Sequence, residues 1–191
     1  RQTSAGIPDI SISGVTVRHG RCSSAGSVAN PNGARCNTGG AGLLHSVDDL
    51  GAVTISDSTF TTNWNIGTNA GTGQFFLNGA GIFVGRGDTV LTGVSFTNNE
   101  NGATGSDHGG DGGAMLFGFG STTNINTVVL NNCTVTGNIA RKIGSDTLGG
   151  LGGGFNGAYD DTDINGGTFS NNSADLDGGG IYNLTNTDIF N

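Results

Sequence analysis

Leu91-Thr92-Gly93-Val94-Ser95-Phe96-Thr97-Asn98-Asn99 is the stretch that decides the fold, because its order of signals recurs along the chain. The copies run from Ile12 to Gly20, Ile55 to Asn63, Leu130 to Asn138 and Ile164 to Asn172. In register, Ile12, Ile55, Leu91, Leu130 and Ile164 form one apolar column, and Val17, Phe60, Phe96, Val135 and Phe169 form a second. Two residues before the second column stand Val15, Ser58, Val94, Cys133 and Gly167, all small or apolar. Strand alternation turns them to the same side, which makes Cys133 a small core residue. Three residues after the second column stand Gly20, Asn63, Asn99, Asn138 and Asn172. Asparagine tolerates the left-handed conformation of a sharp corner, and its amide can bond its own equivalent one repeat away. Stacked copies therefore predict an asparagine ladder.

Between these copies lies a second signal, a small-residue corner followed by an apolar residue. It reads Gly40-Ala41-Gly42-Leu43, Gly79-Ala80-Gly81-Ile82, Gly112-Gly113-Ala114-Met115, Gly152-Gly153-Gly154-Phe155 and Gly178-Gly179-Gly180-Ile181. Without a Cβ these corners can turn sharply and let neighbouring coils approach closely. Successive corners are 39, 33, 40 and 26 residues apart, a solenoid-like spacing. A propeller blade shares that period but is built from hairpins with two-residue turns, which are missing here. The expected fold is all-β: a right-handed single-stranded parallel β-helix of about five coils, one domain over 1–191. It reads as a segment of a longer or end-to-end assembled solenoid.

These phrases resemble the GGAI/FxxN repeats of chlamydial polymorphic membrane proteins and, more broadly, bacterial parallel β-helix repeat proteins. Ile12-Ser13-Gly14-Val15-Thr16-Val17, Phe96-Thr97-Asn98-Asn99, Phe169-Ser170-Asn171-Asn172 and Asp177-Gly178-Gly179-Gly180-Ile181-Tyr182-Asn183 carry the likeness. The resemblance implies the coil and an extracellular or cell-surface setting. Adhesins, secreted surface proteins and carbohydrate-active enzymes all use such repeats, so function must be argued from a site. Gly-Ala-Gly corners and Val135 in place of an aromatic depart from the family pattern.

Composition agrees. Of 191 residues 38 are Gly, and Lys142 and Glu100 are the only lysine and glutamate, so long helices are not expected. A formal charge of −8 argues against a nucleic-acid partner or an anionic membrane, and no apolar run is long enough to span a bilayer. Cys22 and Cys36 fall in one Gly/Ser/Asn-rich stretch. They are either a local disulfide contributing about 3 kcal/mol or two free loop thiols.

The loops run from Gly20 to Gly40, Asn63 to Gly79, Asn99 to Gly112, Asn138 to Gly152 and Asn172 to Gly178, which places every insertion in one phase of the coil. They should line a single edge, either a binding edge or the place where length variation does no harm. After each core-facing residue of the corner comes Leu44, Phe83, Leu116, Asn156 or Tyr182, an outward column that is secondary core if the long loops cover it, the favoured reading, and an interface with another subunit if bare. No cap is visible at either terminus, so end-to-end self-association into a fibre is the expected partnership.

For metal, Asp107 and Asp111, in Asp107-His108-Gly109-Gly110-Asp111-Gly112, and Asp160, Asp161 and Asp163 are the carboxylates that could wrap Ca²⁺. Calcium is the one cofactor suggested, and solvated loop carboxylates are the plainer reading. His19, His45 and His108 have no metal-ligand spacing. A lyase or hydrolase would need converging carboxylates and a base; Arg18, Arg86 and Arg141 are available, but no such convergence recurs, and no catalytic residue is assigned. Ice binding would need a flat, regular threonine array; the threonines are irregular along the sequence, and ice binding is not expected. The expected function is a non-catalytic adhesin or structural fibre subunit, with a carbohydrate-active enzyme or glycan-binding β-helix as the alternative.

Overall fold

A computed structural model describes residues 9–22, 41–45, 51–68, 79–104, 110–118, 126–143, 149–157, 161–185 and 187–190. The first coil holds β1 (Ile10–Ser13), β2 (Thr16–Arg18), β3 (Arg21–Cys22) and β4 (Leu43–His45). The second holds β5 (Val53–Ser56), β6 (Thr59–Thr61), β7 (Trp64–Thr68) and β8 (Ile82–Val84). The third holds β9 (Thr89–Thr92), β10 (Ser95–Thr97), β11 (Glu100–Thr104) and β12 (Met115–Phe117). The fourth holds β13 (Thr127–Asn131), β14 (Thr134–Thr136), β15 (Ile139–Ile143) and β16 (Phe155–Gly157). The fifth holds β17 (Asp161–Asn165), β18 (Thr168–Ser170), β19 (Ser173–Ala174) and β20 (Ile181–Asn183), and β21 (Thr187–Phe190) opens a sixth.

Equivalent strands stack in parallel into four sheets: sheet A is β1-β5-β9-β13-β17-β21, and sheets B, C and D take the second, third and fourth strand of each coil. This is a parallel β-helix, as the repeat predicts. Phe96 lies beside Phe60 and Val135, and Val135 beside Phe169, in unbroken register. The Phe60 and Phe96 rings stack at 5.2 Å between centroids, 13° from parallel. The core is apolar side chains from sheets A, B and D, including Ile55, Leu91, Leu130, Phe96, Met115 and Phe155. Each large side chain so buried contributes about 1.5–3 kcal/mol.

The nine-residue sequence repeat is two strands, not one. A left-handed residue separates sheet A from sheet B in every coil: Gly14, Asp57, Gly93, Asn132 and Gly166, with φ between 46° and 66°. A second separates sheet B from sheet C at His19, Thr62, Asn98, Gly137 and Asn171. The left-handed residue at this corner is therefore the one before the ladder asparagine, not the ladder residue itself. In Asn98-Asn99 and Asn171-Asn172 the first asparagine turns the chain and stays exposed, while the second sends its amide along the stack. A third corner falls on Gly79, Gly112, Gly152 and Gly178. The glycine after it is needed for close approach: a Cβ on Gly153 would stand 2.3 Å from the carbonyl oxygens of Gly179 and Ser173.

Length variation is not confined to one phase either. A short sheet C strand follows each ladder position directly, and the variable connections lie both between sheets C and D, over 23–42, 69–81, 105–114, 144–154 and 175–180, and between sheet D and the next sheet A. The A–B and B–C connections are two residues long in every coil. The column after the corners is covered in the middle of the stack, where Phe83, Leu116 and Asn156 are buried, whereas Leu44 is 39% exposed. Val15 is likewise exposed in the first coil, while Ser58, Val94 and Cys133 are buried as expected.

Candidate functional site

The ladder is continuous. The Asn63 backbone N–H and Nδ2 both donate to Asn99 Oδ1 at 3.0 Å, Asn99 donates in the same two ways to Asn138, and Asn138 to Asn172. Each Nδ2 also donates back to a carbonyl of the preceding coil: Val17, Phe60, Phe96 and Val135. Asn63, Asn99 and Asn138 use both amide hydrogens, Asn99 and Asn138 both oxygen lone pairs, and Asn63 Oδ1 accepts the Gly20 N–H, which is what allows all three to be fully buried. The ladder is architectural.

Of the proposed calcium ligands the structure describes Asp111, Asp161 and Asp163, and these three do not form one group. Asp111 is buried, where its Oδ1 accepts the Leu151 N–H at 2.9 Å and its carbonyl accepts from Gly79 N and Asn101 Nδ2, so it fastens three coils. Asp161 and Asp163 lie on β17, with Asp163 beside Asp188 of β21. Asp107 and Asp160 lie outside the described residues, as do Cys36 and the side chain of Cys22, so the disulfide pairing falls there too. Among the described residues no three His, Cys, Asp or Glu side chains are grouped to hold a metal. Arg141 hydrogen-bonds the Glu100 carboxylate, which raises its pKa further and makes it a poor proton abstractor. Burial raises the pKa of Cys133, so its thiol stays protonated in the core.

Two surface features stand out instead. The first is the pair of coil ends. Among the described residues, the exposed large hydrophobics are Val15 and Leu44 in the first coil, Leu176, Leu184, Ile189 and Phe190 in the last turn, and Val90 between them. Among the described residues, the edges of β1 to β4 and of β18 to β21 have no strand partner on their outer sides. Their charge balance is opposite: among the described residues Arg18 and Arg21 outweigh Asp9 on the first coil, whereas Asp161, Asp175, Asp177 and Asp188 are exposed on the last, and no Lys or Arg follows Lys142 in the sequence.

The second feature is the outer face of sheet B. One outward column is Thr16, Thr59, Ser95, Thr134 and Thr168; the other is Arg18, Thr61, Thr97, Thr136 and Ser170. The threonines that look irregular along the chain are regular in space. Connections of unequal length disguise them, and the signal that would have revealed them is the position on either side of the Val17–Phe60–Phe96–Val135–Phe169 column. No family model, curated protein or solved structure matches the chain.

Proposed function

We propose that this chain is a non-catalytic extracellular or cell-surface β-helix that works as an adhesin or structural fibre subunit and associates end to end. The carrying observation is the pair of coil ends, where unpaired strand edges, exposed apolar side chains and opposite charge coincide. An unprotected edge of parallel strands is a template for further strands, and attraction between a basic first coil and an acidic last one favours head-to-tail over head-to-head contact. The likeness to β-helix surface-protein repeats points the same way.

Electron microscopy and sedimentation of the purified chain over a range of concentration and salt test this. Linear assemblies that dissociate as salt screens the ends are expected. Strictly monomeric particles at high concentration and low salt overturn the reading, and so does release of reducing or unsaturated sugars from polysaccharides by the purified protein.

A further inference from the structure

We infer that the outer face of sheet B is an ice-binding surface, a two-dimensional hydroxyl and methyl array that docks on the ordered water lattice of an ice crystal. The inference does not depend on end-to-end association.

Nine of the ten outward positions on β2, β6, β10, β14 and β18 are Thr or Ser, with Arg18 the exception at one corner. The other sheets show that this is not the ordinary preference of exposed strands for threonine. Sheet A carries Ser11, Thr54, Val90, Val129, Asp163 and Asp188 in one outward column and Ser13, Ser56, Thr92, Asn131, Asn165 and Phe190 in the other, where hydroxyls give way to amides and a ring, and sheet C carries Arg21, Trp64, Glu100, Ile139 and Ser173. Only sheet B is uniform. It is also the one sheet flanked in every coil by two-residue connections, so no long loop borders the face.

Register fixes the lattice. Strands one coil apart are separated by about 4.8 Å and outward residues along a strand by about 6.7 Å, so the columns form a rectangular net about 19 Å long. Both repeats are close to oxygen–oxygen repeats on the surface of hexagonal ice. In one column Thr97 Oγ1 donates to Thr61 Oγ1 at 2.8 Å and Thr136 and Ser170 share a 3.0 Å hydrogen bond, which holds those hydroxyls in a row. The hydroxyls of Thr16, Thr59, Ser95, Thr134 and Thr168 make no hydrogen bond among the described residues; Thr16, Thr134 and Thr168 are exposed and Thr59 and Ser95 partly so. Threonine methyls between them restrict the first water layer, so the face offers fixed hydroxyl positions to water already ordered over it.

The same face suits other occupants poorly. It carries one charge in a chain of net charge −8, so a polyelectrolyte finds nothing to pair with. Its aromatic rings, Phe60, Phe96 and Phe169, lie in the inward column, so a crystalline polysaccharide has no ring on which to stack. A protein partner would want an apolar centre with few hydroxyls, the reverse of this arrangement.

Thermal hysteresis, ice recrystallisation and partition of the fluorescently labelled chain onto a growing ice hemisphere test the proposal. The native chain should shape crystals and enter the ice. Thr97→Tyr, which breaks the net at its centre, should lose most of this while circular dichroism and Tm stay unchanged, and Val90→Tyr on sheet A should keep it. If Thr97→Tyr does not fold, Thr134→Tyr at an exposed strand start makes the same break. A native chain excluded from ice overturns the proposal, as does a folded Thr97→Tyr or Thr134→Tyr chain with undiminished activity. Retention on cellulose or chitin without effect on ice overturns it too.

Discussion

Replacing Asn99 by alanine removes four hydrogen bonds at a position with no access to solvent. Its Oδ1 accepts from the Asn63 backbone N–H and from Asn63 Nδ2, and its Nδ2 donates to Phe60 O and Asn138 Oδ1. After Asn99→Ala the Asn63 N–H and one amide hydrogen of Asn63 Nδ2 stay buried without an acceptor. At about 1–3 kcal/mol for each orphaned buried group, and a smaller amount for the space vacated, the expected loss is about 4 kcal/mol. That is a large part of the 5–15 kcal/mol typical of a folded domain. Asn172→Ala removes the last rung, where the side chain is half-buried and water can reach the groups left behind, so about 1 kcal/mol is expected there. Urea unfolding measures both, by circular dichroism for the whole stack and by the fluorescence of Trp64, which directly follows the Asn63 rung and is the only tryptophan. Because each coil contacts only its neighbours, the central break should also separate the two signals, with Trp64 reporting the first coils apart from the rest. An Asn99→Ala chain within about 1 kcal/mol of native, or no weaker than Asn172→Ala, refutes the reasoning, since the ladder would then contribute no more than an exposed amide.

Two more predictions follow from the corners and the core. Gly153→Ala should prevent native folding, because its Cβ would meet two backbone carbonyls of the next coil, whereas Gly180→Ala, with nothing within 4 Å and an ordinary φ, should leave Tm within a degree or two; thermal melts compare them. Cys133 should resist a thiol reagent in the native chain and react only as fast as the protein unfolds, read by mass spectrometry of the labelled peptide; rapid native labelling would remove it from the core.

The coil was legible because its columns are one-dimensional facts: Phe60, Phe96 and Phe169 recur with Asn63, Asn99 and Asn172 at fixed offset, and a ladder needs only identity and offset. The split of each repeat into two sheets was harder to see. Asp57, Gly93 and Asn132 at the first corner have no side chain in common, and what they share is a positive φ. Sheet C was hidden because its strands, Trp64-Asn65-Ile66 and Glu100-Asn101-Gly102 among them, do not resemble one another and pair by position alone. The threonine net was missed for a related reason: attention to what faces the core discards the residues on either side of it. Among the candidate metal carboxylates, Asp111 shows a different effect. Nearness in sequence is a poor guide in a solenoid, where Asp111 spends its oxygens on neighbouring coils.

The two-residue connections and the stacked sheets have a kinetic corollary. No strand pairs with its sequence neighbour; β1 meets β5, with Ser13 and Ser56 43 residues apart. Closing the first such circuit costs about 3 kcal/mol of chain entropy before any hydrophobic contact repays it. Once one winding exists, its upper rim is a ready-made template, and the next segment needs only to be laid down. Maturation should then proceed as zippering from a rare nucleus, slow to begin and quick to finish, and a preformed rim supplied from outside would act as a seed.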